Sequence, residues 1–154
     1  MSASKLLLGG IEVRLGMTQD EALRKLSAIY ELRHMDNAPG AWFVLRKAQQ
    51  MFEPIGSLTF SSDRLTFATH SLGPGLKEQT AAAVARTLYD AVEAVTAGGQ
   101  SPCVVGTYDV DSLFRTVLNC PGRRLTITGS RDANVAVSIE ETIGGLRIPS
   151  AVTP

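Results

Sequence analysis

Apolar and polar residues alternate from Leu8 to Leu15. Ile11, Val13 and Leu15 point one way, Glu12 and Arg14 the other, the period of a half-buried strand. Gly16 ends it. Thr18 is then a good helix N-cap with Glu21 at N3, a capping box, and Met17 before the cap is placed to staple onto Ala22. Leu23, Leu26, Ile29 and Tyr30 recur at helical spacing, so this helix is expected to bury that stripe and to fade near Leu32 to Met35. "DNAPG" at 36–40 is a loop, and "AWFVLRK" from Ala41 is a strand. In "EPIGSLTFSSDRLTFATHSLG", Leu58 and Phe60 share one face and Leu65 and Phe67 another, with "SSDR" turning between them, which predicts a hairpin.

"GPG" at 73–75 breaks the chain. Leu76 to Ala97 carries the strongest helical period, with Val84, Leu88, Ala91, Val92 and Val95 on one stripe and Gly98 as its stop. The alanines from Ala81 to Ala85 read as a close-packing segment. Four strands follow, at Cys103–Tyr108, Phe114–Cys120, Arg124–Thr128 and Val135–Ile143, with turns at Pro121–Gly122 and "GSRDAN". The tail from 144 to 154 reads as loose. The predicted order is β-α-β-β-β-α-β-β-β-β. Runs of strands broken by only two helices predict an α+β fold, a two-layer sandwich with two helices on one face of an antiparallel sheet. Residues 1–154 read as a single domain in which 8–72 and 75–143 repeat one plan, a helix followed by a meander.

Lysine plus arginine number 15, and so do aspartate plus glutamate. This balance gives no long-range pull on phosphate backbones or anionic lipid, so no nucleic-acid partner is expected. No apolar run approaches the roughly 20 residues of a membrane-spanning helix. "KLLL" is also shorter than a signal-peptide core of about 7–15 apolar residues. With Met1 as the native start the chain reads as cytoplasmic. With a leader removed it reads as periplasmic or extracellular.

The stretch "LGMTQDEALRKL", the lone tryptophan in "AWFVL" and the hairpin "GSLTFSSDRL" together resemble the SmpA/OmlA (BamE-like) family of small periplasmic domains. The matching positions are Gly16, Met17, Thr18, Trp42, Gly56, Phe60 and Leu65, within residues 8 to 70. The tandem helix-then-meander plan is similar to that of the beta-lactamase inhibitory proteins. Both resemblances imply a bacterial, non-catalytic binding module with a protein partner. They make Met17 and Trp42 candidate partner contacts, against a structural role for the Gly-Met-Thr cap and a core position for Trp42 under the first helix.

Candidate chemistry is sparse. Pairing Tyr108 with Arg115 across a hairpin puts Cys103 opposite Cys120, within reach of a disulfide. Two reduced, buried thiols are the alternative. His34 and His70 are the only histidines, and no Cys-x-x-Cys or histidine cluster offers a metal site. A Cys120–His70 nucleophile pair has no local support. Glu140 and Glu141 are adjacent and face opposite sides of a strand. Asp63, Asp109 and Asp111 sit at turns. Arg123, Arg124 and Arg131 read as a solvated strand face or a small anion patch. No phosphate loop, dinucleotide fingerprint or nucleophile elbow occurs, so neither enzymatic activity nor a cofactor is expected. The competing expectation is a small ligand-binding protein or enzyme. It requires a cavity between helices and sheet, lined by His70, Cys120 or Glu140.

Overall fold

A computed structural model describes residues 4–73, 80–96, 103–110, 113–130 and 137–145. The protein is α+β. The described elements run β1 (Lys5–Leu8), β2 (Ile11–Arg14), α1 (Gln19–Ser27), β3 (Glu31–His34), β4 (Ala41–Ala48), β5 (Met51–Ser61), β6 (Arg64–Gly73), α2 (Ala81–Thr96), β7 (Val104–Val110), β8 (Leu113–Cys120), β9 (Arg123–Ser130) and β10 (Ser138–Gly144). They fall into two compact units, Met1–Ser71 with Thr142–Gly145 and Leu72–Glu141 with Leu146–Pro154. In each, one helix is followed by an antiparallel meander.

The first unit begins with a hairpin where the alternation predicts one strand. Leu8 pairs with Ile11, and Gly9 and Gly10 form the two-residue turn with φ of 58° and 87°. Such a turn needs both central residues in the left-handed region, which two glycines supply without strain. A side chain at Gly9 would also collide with the Tyr30 hydroxyl. Leu6 and Leu8 are thereby turned inward beside Val13.

Thr18 caps α1 as expected, its Oγ1 accepting from the Glu21 N–H at 3.2 Å. Asp20 and Glu21 in the first turn, with Arg24 and Lys25 in the last, match the helix dipole. The Gly-Met-Thr segment is also stitched to β6. Gly16 N–H donates to the Leu65 carbonyl at 2.8 Å, and Leu65 N–H donates to the Met17 carbonyl at 2.8 Å. The cap segment before α1 and the start of β6 therefore meet through backbone bonds.

The helix ends earlier than its apolar period predicts. Ser27 is its last residue, and Glu31–His34 forms a strand. Leu32 pairs with Val44 and His34 with Trp42, so this segment satisfies the outer edge of β4 instead of extending the helix. Ala22 and Leu26 are buried, Leu23 is half-buried, and Ile29, expected in the stripe, is 64% exposed. Ala22 and Leu26 close over Leu6, Leu8, Val13, Val44, Ile55, Leu58, Phe60, Leu65, Ala68 and Ile143.

In the second unit Thr80 caps α2, accepting the Ala83 N–H at 3.1 Å. The expected helical start at Leu76 and stop at Gly98 lie outside the described residues, as do Arg131, the "GSRDAN" turn beyond Ser130 and the tail from Leu146. Ala91 and Val95 are buried with Cys120, Leu125 and Ile139, and Leu88 packs against them. Val92 is 36% exposed. Ala81, Ala82 and Ala85 are exposed, so the alanine-rich start of α2 is not the close-packed segment its small side chains suggest. No described helix is long and apolar enough to cross a membrane.

The first core predicts a sharp contrast between two apolar helix residues. Leu26→Ala should lower unfolding free energy by about 2–5 kcal/mol, because a fully buried leucine leaves a cavity. Tyr89→Ala on α2, where the ring is 63% exposed, should change it by less than about 0.5–1 kcal/mol. Urea denaturation followed by circular dichroism checks both.

Candidate binding surface

Cross-strand register sorts the first unit's meander into two faces. Trp42, Leu58 and Ala68 lie opposite one another, and all three pack into or against the first core. One residue along, Arg33, Phe43, Ser57 and Thr69 form a row on the outer face. Ser57 Oγ and Thr69 Oγ1 are hydrogen-bonded at 2.7 Å there.

A β-bulge sets what else reaches that face. Val44 pairs with Gly56 and Leu45 with Pro54, leaving Ile55 as the extra residue. Proline lacks an N–H for a ladder, and it is tolerated here at a bulge in a stretch where β5 is paired with β4 alone, since pairing with β6 begins at Gly56. Ile55 turns into the core, while beyond the bulge Phe52 pairs with Lys47 and so shares a face with Phe43. An unbroken register would pair Phe52 with Ala48, on the core side. The outcome is a cluster of Phe43, 41% exposed, Phe52, 43% exposed, and Arg33, whose guanidinium carbon lies 5.3 Å from the Phe52 ring centroid. A cation over an aromatic face is favourable and leaves both groups available to a partner.

The two candidate partner contacts lie elsewhere. Met17 and Trp42 are half-buried and pack against the first core. The Trp42 indole meets the His34 ring edge-on, with centroids 5.1 Å apart. Its buried N–H has no hydrogen-bond partner.

In the second unit Tyr108 pairs with Arg115, as the sequence predicts, and Cys103 and Cys120 are joined in a disulfide with Cα atoms 4.3 Å apart. The bond fastens the start of β7 to the end of β8. It also removes Cys120 from any nucleophile pair with His70, because no free thiol remains. Glu140 and Glu141 look to different partners. Arg123 Nη1 donates to Glu141 Oε1 at 2.8 Å, whereas Arg115 and Arg124 supply the positive field at Glu140. Burial pushes both carboxyls above the ordinary carboxylate range, and the arginines only partly offset it. Burial also pushes the half-buried His70 imidazole below its ordinary value.

A groove of about 410 Å³ runs beside α1, lined by Gln19, Asp20, Leu23, Arg24, Ser27, Leu32 and Asp63. Asp20 is already paired with Arg24. None of His70, Cys120 and Glu140 lines this groove. Among the described residues no group of three or more histidine, cysteine, aspartate or glutamate side chains is arranged to hold a metal ion.

No protein-family model, curated protein or solved structure matches the chain. The outer-face cluster was missed in the sequence because Arg33 reads as the end of the helix and Phe52 lies just before the strand run that holds Pro54. Pro54 inside an otherwise strand-like run is the signal that could have revealed the bulge.

Reducing the Cys103–Cys120 bond should cost about 3 kcal/mol on the chain-entropy model, seen as a lower urea midpoint with reductant present. His70 predicts a second dependence. Its folded pKa lies below its unfolded value, so its contribution is constant above about pH 6.5 and becomes increasingly unfavourable as pH falls toward the folded value. Across that window His70→Gln should lose less stability than the parent protein, and urea midpoints taken at stepped pH will show it.

Proposed function

We propose that this protein is a non-catalytic protein-binding module whose contact surface is the outer face of the first unit's sheet. The observation that carries the reading is the Arg33–Phe43–Phe52 cluster. Phenylalanine and arginine are enriched at the cores of protein interfaces, and energetic hot spots cluster on such anchors. The Ser57 and Thr69 hydroxyls on the same row are bonded to each other and Thr69 is buried, so the accessible part of this face is the Arg33–Phe43–Phe52 cluster.

A bacterial, envelope-associated setting is part of the proposal. A disulfide suits an oxidising compartment, and the BamE-like motif positions Gly16, Met17, Thr18 and Trp42 suit a small periplasmic domain. Those motif positions support the fold, through the capped helix and the core, and the partner contact moves to Phe43 and Phe52.

The test is site-specific photo-crosslinking in the native host. A benzoylphenylalanine at position 43 should trap a protein partner, and Arg33→Ala with Phe52→Ala should abolish that adduct while leaving the protein folded. The same probe at Arg86, exposed on α2, is the control. An adduct pattern at position 43 indistinguishable from that at position 86 would sink the proposal.

A further inference from the structure

In the first unit β3 is hydrogen-bonded to a described strand only through β4, and in the second unit β7 only through β8. The two strands differ in kind. β3 has four residues and carries Glu31, Arg33 and His34, the short and charged form that discourages further pairing. β7 has seven residues, Val-Val-Gly-Thr-Tyr-Asp-Val, with no lysine, arginine or proline. Val104 is 59% exposed and Val105 62% exposed. Being adjacent in a strand, they put apolar surface on both faces at once. On the neighbouring strand Leu113 and Phe114 add 37% and 40% exposure at its far end.

We propose that β7 is a self-association edge, which a second copy of this chain extends by antiparallel pairing of β7 with β7 about Thr107. The sequence of the strand favours its own copy. Centred on Thr107, that register sets Val104 opposite Val110, Val105 opposite Asp109 and Gly106 opposite Tyr108. Asp109, the strand's one charged residue, does not meet itself. A twofold contact repeats every pairing, so this avoids the like-charge opposition that would weaken it. The strand offers no basic residue for an acidic partner and a single acid for a basic one, whereas β-branched residues pair well with their own kind. The Cys103–Cys120 bond holds the start of β7 on β8, so the edge is presented already ordered, which lowers the entropy cost of pairing.

Position 107 gives a test specific to this geometry. Thr107 is exposed, and in the proposed pairing the two copies of it are direct neighbours, with Cβ atoms about 4.5–5.5 Å apart. Sedimentation velocity on the oxidised protein should show a concentration-dependent monomer–dimer equilibrium. Thr107→Cys should give a disulfide-linked dimer under mild oxidation, while Val104→Cys, which meets Val110 of the other copy, should not link to itself. Thr107→Lys sets two ammonium groups opposite each other and should weaken the dimer at least about tenfold, with circular dichroism and the absence of free thiols confirming the fold. A monomer at every concentration overturns the proposal. So does a dimer that Thr107→Lys leaves intact, or equal self-linking at positions 104 and 107. These readouts are independent of crosslinking at Phe43.

Discussion

The first unit rests on the burial of one helix stripe against one sheet face. Ala22 and Leu26 of α1 are fully shielded from water, as are Leu6, Leu8, Val13, Val44, Leu58, Leu65 and Ala68 around them, or nearly so. Side chains alternate along a strand, so fixing which residues enter this core fixes the opposite face as well. Val44 and Trp42 go inward, and Phe43 between them must go outward. The exposure of Phe43 is a consequence of core registration, and nothing in the fold of the unit requires an aromatic ring there.

The bulge at Ile55 adds the second ring. It accommodates Pro54, keeps Ile55 in the core and moves Phe52 to the outer face. Burial and backbone chemistry together build a surface that carries two exposed phenylalanines and an arginine. The second unit is assembled differently. Among the described residues its buried cluster is drawn from Ala91, Val95, Cys120, Leu125 and Ile139, and a covalent bond secures β7, the first strand of its meander, to β8. A disulfide is a recurrent staple of small units.

Local signals in the sequence were legible where they act within a few residues. Thr18 followed by Glu21 marks the helix start, "SSDR" marks the hairpin turn, and the Tyr108–Arg115 register follows from alternation and brings the cysteines together. The heptad-like spacing of Leu88, Ala91 and Val95 identifies the buried line of α2. Signals that depend on distant partners were not legible. "YELRH" continues a plausible helical period, but pairing of Leu32 with Val44 draws it into a strand. "LLLGGIEV" reads as a lead-in and one strand until the two glycines are recognised as a hairpin turn. The binding surface was hidden for the same reason, because Arg33 belongs to the reassigned strand and Phe52 changes face only through the bulge.

One face of the first unit's sheet is closed over by α1, while the other presents Phe43 and Phe52 to solvent. Carbene footprinting with residue-level mass spectrometry tests it directly, since the reagent labels side chains in proportion to their exposure. Phe43 and Phe52 should label strongly in the folded protein, with Leu26 and Leu58 protected and Met17 and Trp42 weakly labelled. Heavy labelling of Trp42 together with protection of Phe43 and Phe52 in the isolated protein would contradict it.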